Sequence, residues 1–311
     1  MALLIDIRDS TWMEEEDLAA LLAPALPGMK IYAGNEGRVY DDVTMVATIR
    51  LHPGVAKQLP NLQLVQKLGA GVETMVRDPD LPAHVRLARL KPLGPAQEIA
   101  EYAVAFVLQR QRNLLFHAGN QAQSDWKPIP PKRAPHTKVG VLGLGHIGGL
   151  AAKSFANLNF QVLGWSQSEK SIEDVDCRHG EEALAPLLAE CDYVVSILPS
   201  TEKTRDLFND ALFSKMKPGS TLINAGRGDL VVEEDLIAAL ENGPLEAAVL
   251  DVVRKEPLPT DHPFWAHPQI TITPHISGWH ADEGLIDVAE NYKRLMSGQP
   301  LLNEVDRSKG Y

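Results

Sequence analysis

Apolar residues in this chain come in short, nearly uninterrupted runs separated by helical patterns. Residues 3–7, 43–49, 64–68 and 85–87 are such runs, set apart by Pro, Gly and Asn. Each reads as a strand of a small α/β domain. Between them, residues 13–22 predict an acidic-faced helix ending at the Pro/Gly stretch 24–28, and 55–58 a short one. A stronger helix is predicted over 97–109, with Ile99, Tyr102, Ala103, Phe106 and Val107 as its apolar stripe and an extension to about residue 122. A helix that long joins two domains or projects toward a partner chain. The proline-rich 128–131 segment predicts extended backbone. Trp126, just before it, is either a surface anchor on its own domain or a side chain presented to a neighbouring subunit.

From residue 137 the alternation becomes regular. Strands are predicted over 139–142, 160–165, 192–198, 220–224, 245–251 and 270–273, with helices over 146–158, 181–189, 209–215 and 233–242. This is a six-stranded doubly wound pattern. Its first strand ends in Gly143, Gly145 and Gly148 at G-x-G-x-x-G spacing. The first glycine permits a tight turn, the second lets a pyrophosphate approach the backbone, and the third lets helix and strand pack closely. Because a strand precedes the glycines and an amphipathic helix follows, the segment Gly143 to Gly148, with His146 and Ile147 at the helix start, predicts a dinucleotide site rather than a structural turn.

Composition narrows the partners. A chain of 311 residues suits two domains, and 44% hydrophobic content is ample for their cores. The formal net charge of −11, with no Lys/Arg cluster, argues against a nucleic-acid partner. No apolar run reaches the ~20 residues of a membrane span, and the N-terminus turns acidic too soon for a signal peptide. A soluble, cytoplasmic protein is expected. Cys177 and Cys191 lack metal-ligand spacing, and no metal is expected.

The second strand of this pattern selects the nicotinamide cofactor. An NAD binder places an Asp or Glu there, about 20 residues past the fingerprint, to hold the ribose 2′-OH. This chain has Ser166, Gln167, Ser168, Glu169 and Lys170. Hydroxyls and a cation suit a 2′-phosphate, so NADP(H) is favoured, with NAD(H) possible. Lys170 serves equally well as a solvated helix residue.

Candidate chemistry gathers at three strand ends. Arg227, flanked by Gly226 and Gly228, offers a fork that holds a carboxylate bidentately. The runs Asp251-Val252…Glu256-Pro257 and Thr273-Pro274-His275 supply an acid and an imidazole. A carboxylate partner keeps histidine protonated near neutral pH, ready to donate to a developing alkoxide. In the first domain, Gly69, Ala70 and Gly71 form either a carboxylate-binding loop or an ordinary strand-to-helix turn.

These motifs, in this order and approximate spacing, resemble those of the D-isomer-specific 2-hydroxyacid dehydrogenases over nearly the whole chain. The Leu68-Gly69-Ala70-Gly71-Val72-Glu73 run, the 227–236 segment and the 305–311 ending resemble the bacterial glyoxylate/hydroxypyruvate reductase A group within that family. The resemblance implies two doubly wound α/β domains: a flavodoxin-like substrate domain (1–98 plus 286–311) with a Rossmann dinucleotide-binding domain (99–285) inserted within it. It implies NADPH-dependent reduction of small 2-oxo acids by a homodimer built through the fingerprint domain. Arg227 then matches the substrate-binding arginine, Glu256 the histidine's partner and His275 the general acid/base. Gly69 to Gly71 match the carboxylate loop, and Trp126 a residue reaching the partner's active site. Further cofactor contacts are expected from Leu198, Pro199, Thr204, Ala225, Gly226 and Asp251. The sequence departs from the pattern at Gly226, where Ala is common, and at Gln167, where NADPH-dependent relatives carry Arg. Two other readings fit the same motifs: an NAD-dependent dehydrogenase for a bulkier acid, and a nicotinamide-responsive corepressor-like binding protein.

Overall fold

The computed structural model describes residues 1–8, 13–280 and 284–307; residues 308–311 of the C-terminal motif lie outside them. The chain divides into two compact units, Met1–Gly94 with His280–Tyr311, and Pro95–Trp279. The divisions fall at 94/95 and 279/280, against the 98/99 and 285/286 expected. The long helix predicted from residue 97 begins at Leu93, so the chain passes between units inside its first turn.

In the first unit, strands β1 (Ala2–Ile5), β2 (Lys30–Ala33), β3 (Val43–Thr48), β4 (Leu64–Lys67) and β5 (Arg86–Arg89) form a parallel sheet in the order β2-β1-β3-β4-β5. Helix α1 (Glu15–Leu22) precedes β2, α2 (Val55–Gln58) lies between β3 and β4, and α3 (Glu73–Val76) follows β4. Successive strand residues point to opposite faces. Leu3, Ile5, Met45 and Ala47 therefore pack with Leu18 and Leu22 of α1, while Leu4, Val46 and Val65 pack with Val55 and Met75. Both faces are covered, which is why the strands read as continuous apolar runs rather than alternating ones.

The second unit opens with α4 (Leu93–Gln111) and α5 (Leu114–Ala122). The single helix expected to extend to about 122 is two helices, because Asn113 adopts the left-handed conformation with φ +55°. Helix α4 buries Ala96, Ala100, Ala103 and Val107, whereas α5 buries no residue. Strands β6 (Lys138–Leu142), β7 (Gln161–Ser166), β8 (Val175–His179), β9 (Tyr193–Ser196), β10 (Ser220–Asn224), β11 (Leu245–Leu250) and β12 (Ile270–Ile272) form a parallel sheet in the order β12-β11-β10-β9-β6-β7-β8. It has seven strands rather than six; the addition is β8, a polar edge strand. The helices between them are α6 (His146–Asn157), α7 (Glu181–Leu188), α8 (Asp210–Phe213) and α9 (Glu233–Glu241). Helix α10 (Ile286–Ser297) belongs to the first unit, where Val288, Ala289 and Tyr292 pack on the α1 side of its sheet. No helix among the described residues is long and apolar enough to cross a membrane.

The turn from β6 into α6 is held by very close packing. A Cβ on Gly148 would lie 1.7 Å from the Gly143 carbonyl oxygen, and Gly143 itself has φ +100°. Gly145 has no atom within 4 Å of the same construction. Gly148→Ala is expected to destabilise the protein by ~1–3 kcal/mol through overpacking, and Gly145→Ala to leave stability near wild type. Thermal melting of the two variants checks this, and equal melting temperatures would contradict it.

Candidate active site

Parallel strands deliver their carboxyl ends to one edge of the sheet, and the strand order reverses there between β6 and β9, the position at which doubly wound sheets bind ligands. Gly143 follows β6, and its missing Cβ would sit 2.8 Å from the carbonyl of Ile197, which follows β9. The turns after β10, β11 and β12 line the same edge. All the predicted catalytic residues of this unit lie in those three turns.

The glycine turn fits a dinucleotide on structural grounds. Gly143 and Gly148 are dictated by the protein's own packing, but Gly145 is exposed and faces open space. That space is what a pyrophosphate would fill, against the N–H groups of the first turn of α6 at His146 and Ile147, which meet no acceptor among the described residues. At the tip of β7, the Ser166 hydroxyl donates to the Ser168 carbonyl at 2.6 Å, while Gln167, Ser168, Glu169 and Lys170 are exposed. On the loop after β9, Thr204 Oγ1 donates to the Pro199 carbonyl at 2.6 Å and accepts the Thr201 N–H at 2.8 Å, clasping the turn that begins at Leu198.

The Arg227 turn is built around a buried amide. Asn224 Oδ1 accepts the Gly226 N–H at 3.1 Å and its Nδ2 donates to the Arg227 carbonyl at 2.9 Å. Ala225 and Gly226 are buried, and Arg227 is half-buried. A Cβ on Gly226 would fall 2.6 Å from the Leu198 carbonyl oxygen. The departure from alanine thus coincides with a close approach between two loops.

His275 and Glu256 meet directly: Nδ1 lies 2.7 Å from Oε2. The hydrogen bond to Glu256 raises the imidazole above its ordinary value, against partial burial and the positive charge of Arg227. Burial pushes the Glu256 carboxyl up, but the hydrogen bond and charge of His275 more than offset this, and it stays below its usual range. Both shifts favour the charged forms, an imidazolium against a carboxylate, and in that state Nε2 is left to donate.

Asp251, expected among the cofactor contacts, is 2% exposed, and its carboxylate is engaged by the histidine loop. Its Oδ1 accepts the Thr273 hydroxyl at 2.6 Å and the Ile276 N–H at 2.9 Å, and its Oδ2 accepts the Ser277 N–H at 2.9 Å. The His275 N–H donates to the Asp251 carbonyl at 2.9 Å. The sequence reading missed the bracing roles of Asn224 and Thr273, although a polar residue at the end of a buried strand signals a loop needing support.

In the first unit, the loop after β4 gives the carbonyl of Gly69 to the Leu90 N–H at 3.2 Å and that of Ala70 to the Arg89 guanidinium at 3.1 Å. Among the described residues, the N–H groups of Gly69, Ala70 and Gly71 meet no acceptor. Trp126 is 96% exposed. Among the described residues, no group of His, Cys, Asp or Glu is arranged for a metal ion.

The family model for the D-isomer specific 2-hydroxyacid dehydrogenase NAD binding domain matches residues 104–277. The chain is 39% identical over 256 residues to glyoxylate/hydroxypyruvate reductase A of Serratia proteamaculans, covering 80% of this chain and 82% of that protein. It superposes on the D-isomer specific 2-hydroxyacid dehydrogenase of Xanthobacter autotrophicus Py2, crystallised with NADPH and MES, with TM-score 0.92, 35% identity and coverage of 100% and 99% of the two chains. The NADPH-dependent glyoxylate/hydroxypyruvate reductase of Sinorhizobium meliloti, crystallised with NADP and sulfate, gives TM-score 0.91 at 30% identity, over 100% and 99%. Likeness of this extent, carried through the full length of the fold, places the chain in the D-isomer-specific 2-hydroxyacid dehydrogenase family.

Proposed function

We propose that this protein reduces small 2-oxo acids with NADPH, converting glyoxylate to glycolate and hydroxypyruvate to D-glycerate in the cytoplasm. The observation that carries this reading is the 2.7 Å contact between His275 Nδ1 and Glu256 Oε2, which maintains a proton donor on an edge that also carries Arg227 and the glycine turn. Gly143 to Ile147 hold the pyrophosphate, and Ser166 to Lys170 receive the 2′-phosphate. Bound there, NADPH supplies the hydride that reduces the keto carbon. Arg227 holds the substrate carboxylate and polarises the carbonyl. Glu256 stabilises the His275 imidazolium before the step; as negative charge grows on the oxygen, Nε2 gives up its proton to it, and the neutral imidazole left behind takes a proton back from solvent.

The decisive assay follows nicotinamide absorbance with glyoxylate, hydroxypyruvate, pyruvate and phenylpyruvate, each against NADPH and NADH. Fastest turnover of the first two with NADPH is expected; preference for phenylpyruvate or NADH would refute the substrate or cofactor assignment.

The pH dependence has a defined sign. Because Glu256 raises the His275 pKa, the donor stays charged to higher pH and reduction declines only as pH climbs through that raised value. Glu256→Gln is expected to move the decline to lower pH, and His275→Ala to lower kcat by roughly 10²- to 10⁴-fold with NADPH binding retained. Unchanged pH–rate profiles in Glu256→Gln would contradict the pairing.

The homodimer is assigned to helix α5 and the segment after it. Leu114, Leu115 and Phe116 are 54%, 50% and 37% exposed, and Trp126 extends from the same stretch. These exposed apolar side chains fit a second copy of the chain, with Trp126 reaching toward the partner's active site. Leu115→Asp is expected to convert a dimer to a monomer in sedimentation velocity; a wild-type monomer, or a Leu115→Asp dimer, would remove this assignment.

A further inference from the structure

Helix α4 meets the loop that carries His275 at three places. Tyr102 Oη lies 2.7 Å from Thr273 Oγ1, the Trp279 N–H donates to Glu98 Oε2 at 2.5 Å, and a Cβ on Gly278 would come 3.0 Å from Ile99 Cδ1. Residues 98, 99 and 102 share one face of the helix by their spacing.

The direction of the Tyr102–Thr273 bond follows from counting protons. Thr273 has a single hydroxyl proton, and its oxygen is also 2.6 Å from Asp251 Oδ1. A carboxylate can only accept, so Thr273 donates to Asp251 and offers Tyr102 nothing but lone pairs. Tyr102 is therefore the donor. Burial pushes its phenol well above the ordinary value, which keeps that proton in place through the neutral range. The chain runs one way, from Tyr102 to Thr273 to Asp251, and each bond polarises the next.

Its far end is the part of the loop under most strain. His275 has φ +55°, a left-handed conformation that persists in a non-glycine residue only where its surroundings over-determine it. Asp251 does this by gathering the N–H groups of Ile276 and Ser277 on its carboxylate and that of His275 on its carbonyl. Thr273 anchors the same carboxylate from the strand side. The charged groups acting on His275 are Glu256, Arg227 and Asp251.

We propose that Tyr102 and Thr273 are positioning residues for His275: through Asp251, their hydroxyl chain fixes the left-handed turn in which the imidazole meets Glu256, so that helix α4 sets the proton donor without touching substrate. This rests on His275 being the proton donor of the proposed reaction. Tyr102→Phe keeps the ring packed on Phe106, at 4.7 Å between centroids, and deletes only the hydroxyl.

Tyr102→Phe and Thr273→Val are each expected to lower kcat for 2-oxo acid reduction by about 3- to 10-fold, the effect of one lost hydrogen bond. Both should move the alkaline decline to lower pH, with NADPH affinity little changed. Thr273→Ser restores the hydroxyl and should recover most of the lost rate. Combining Tyr102→Phe with Thr273→Val should lower kcat no further than Thr273→Val alone, because both break one chain. Wild-type kcat and pH profile in Tyr102→Phe, or a Thr273→Ser variant as impaired as Thr273→Val, would overturn the proposal. The His275 ring protons, assigned against His275→Gln, give the same titration by NMR without turnover. There, a lower pKa in Tyr102→Phe supports the proposal and an unchanged one overturns it. If the wild type reduces no 2-oxo acid, the proposed function fails while this titration still tests the chain.

Discussion

Every strand of the 95–279 unit runs in the same direction, and this constraint governs where its chemistry can be. Parallel pairing sends the chain back through a crossover after each strand, so the polar turn at each carboxyl end emerges on one edge. Residues far apart in sequence, Gly145, Arg227, Asp251 and His275, come to that edge because each immediately follows a strand or the turn that ends one. Apart from their last residues, such as Asn224 of β10, the buried strands supply packing rather than chemistry. Their role is to hold the turns in fixed register.

Within that frame, the electrostatics rest on a division of labour between two carboxylates. Glu256 is only partly exposed and meets the imidazole directly, so its charge acts on the protonation of His275. Asp251 is buried and its oxygens are occupied by donors from the loop, so its charge sets backbone shape. A carboxylate buried without donors would be strongly destabilising; here the need for donors organises the turn around it.

The sequence was most legible where burial left a strong pattern. The runs at 139–142 and 220–224, covered on both faces, and the glycine spacing after the first marked the elements and, at their ends, the candidate site. Strands β2 and β8 were missed because edge strands are half in water: Lys30 and Ala33 of β2 and Asp176 and His179 of β8 are exposed, which erases the apolar run. The break at Asn113 escaped because helical periodicity continues across it; one backbone angle, not composition, separates α4 from α5. The chemical identities of Arg227, Glu256 and His275 could be read from their motifs, but Asp251 could not. Its acceptors face Thr273, Ile276 and Ser277, partners that only the folded loop supplies.

The three glycines of the β6–α6 turn do not carry equal information. Gly143 and Gly148 answer to contacts inside the protein, with Ile197 and with each other, and Gly145 answers to nothing in it. A descendant of this chain that had abandoned nucleotides would still be obliged to keep the outer two in order to fold. Only the middle position would be free to drift, so among distant relatives it is the one whose loss would announce a change of trade.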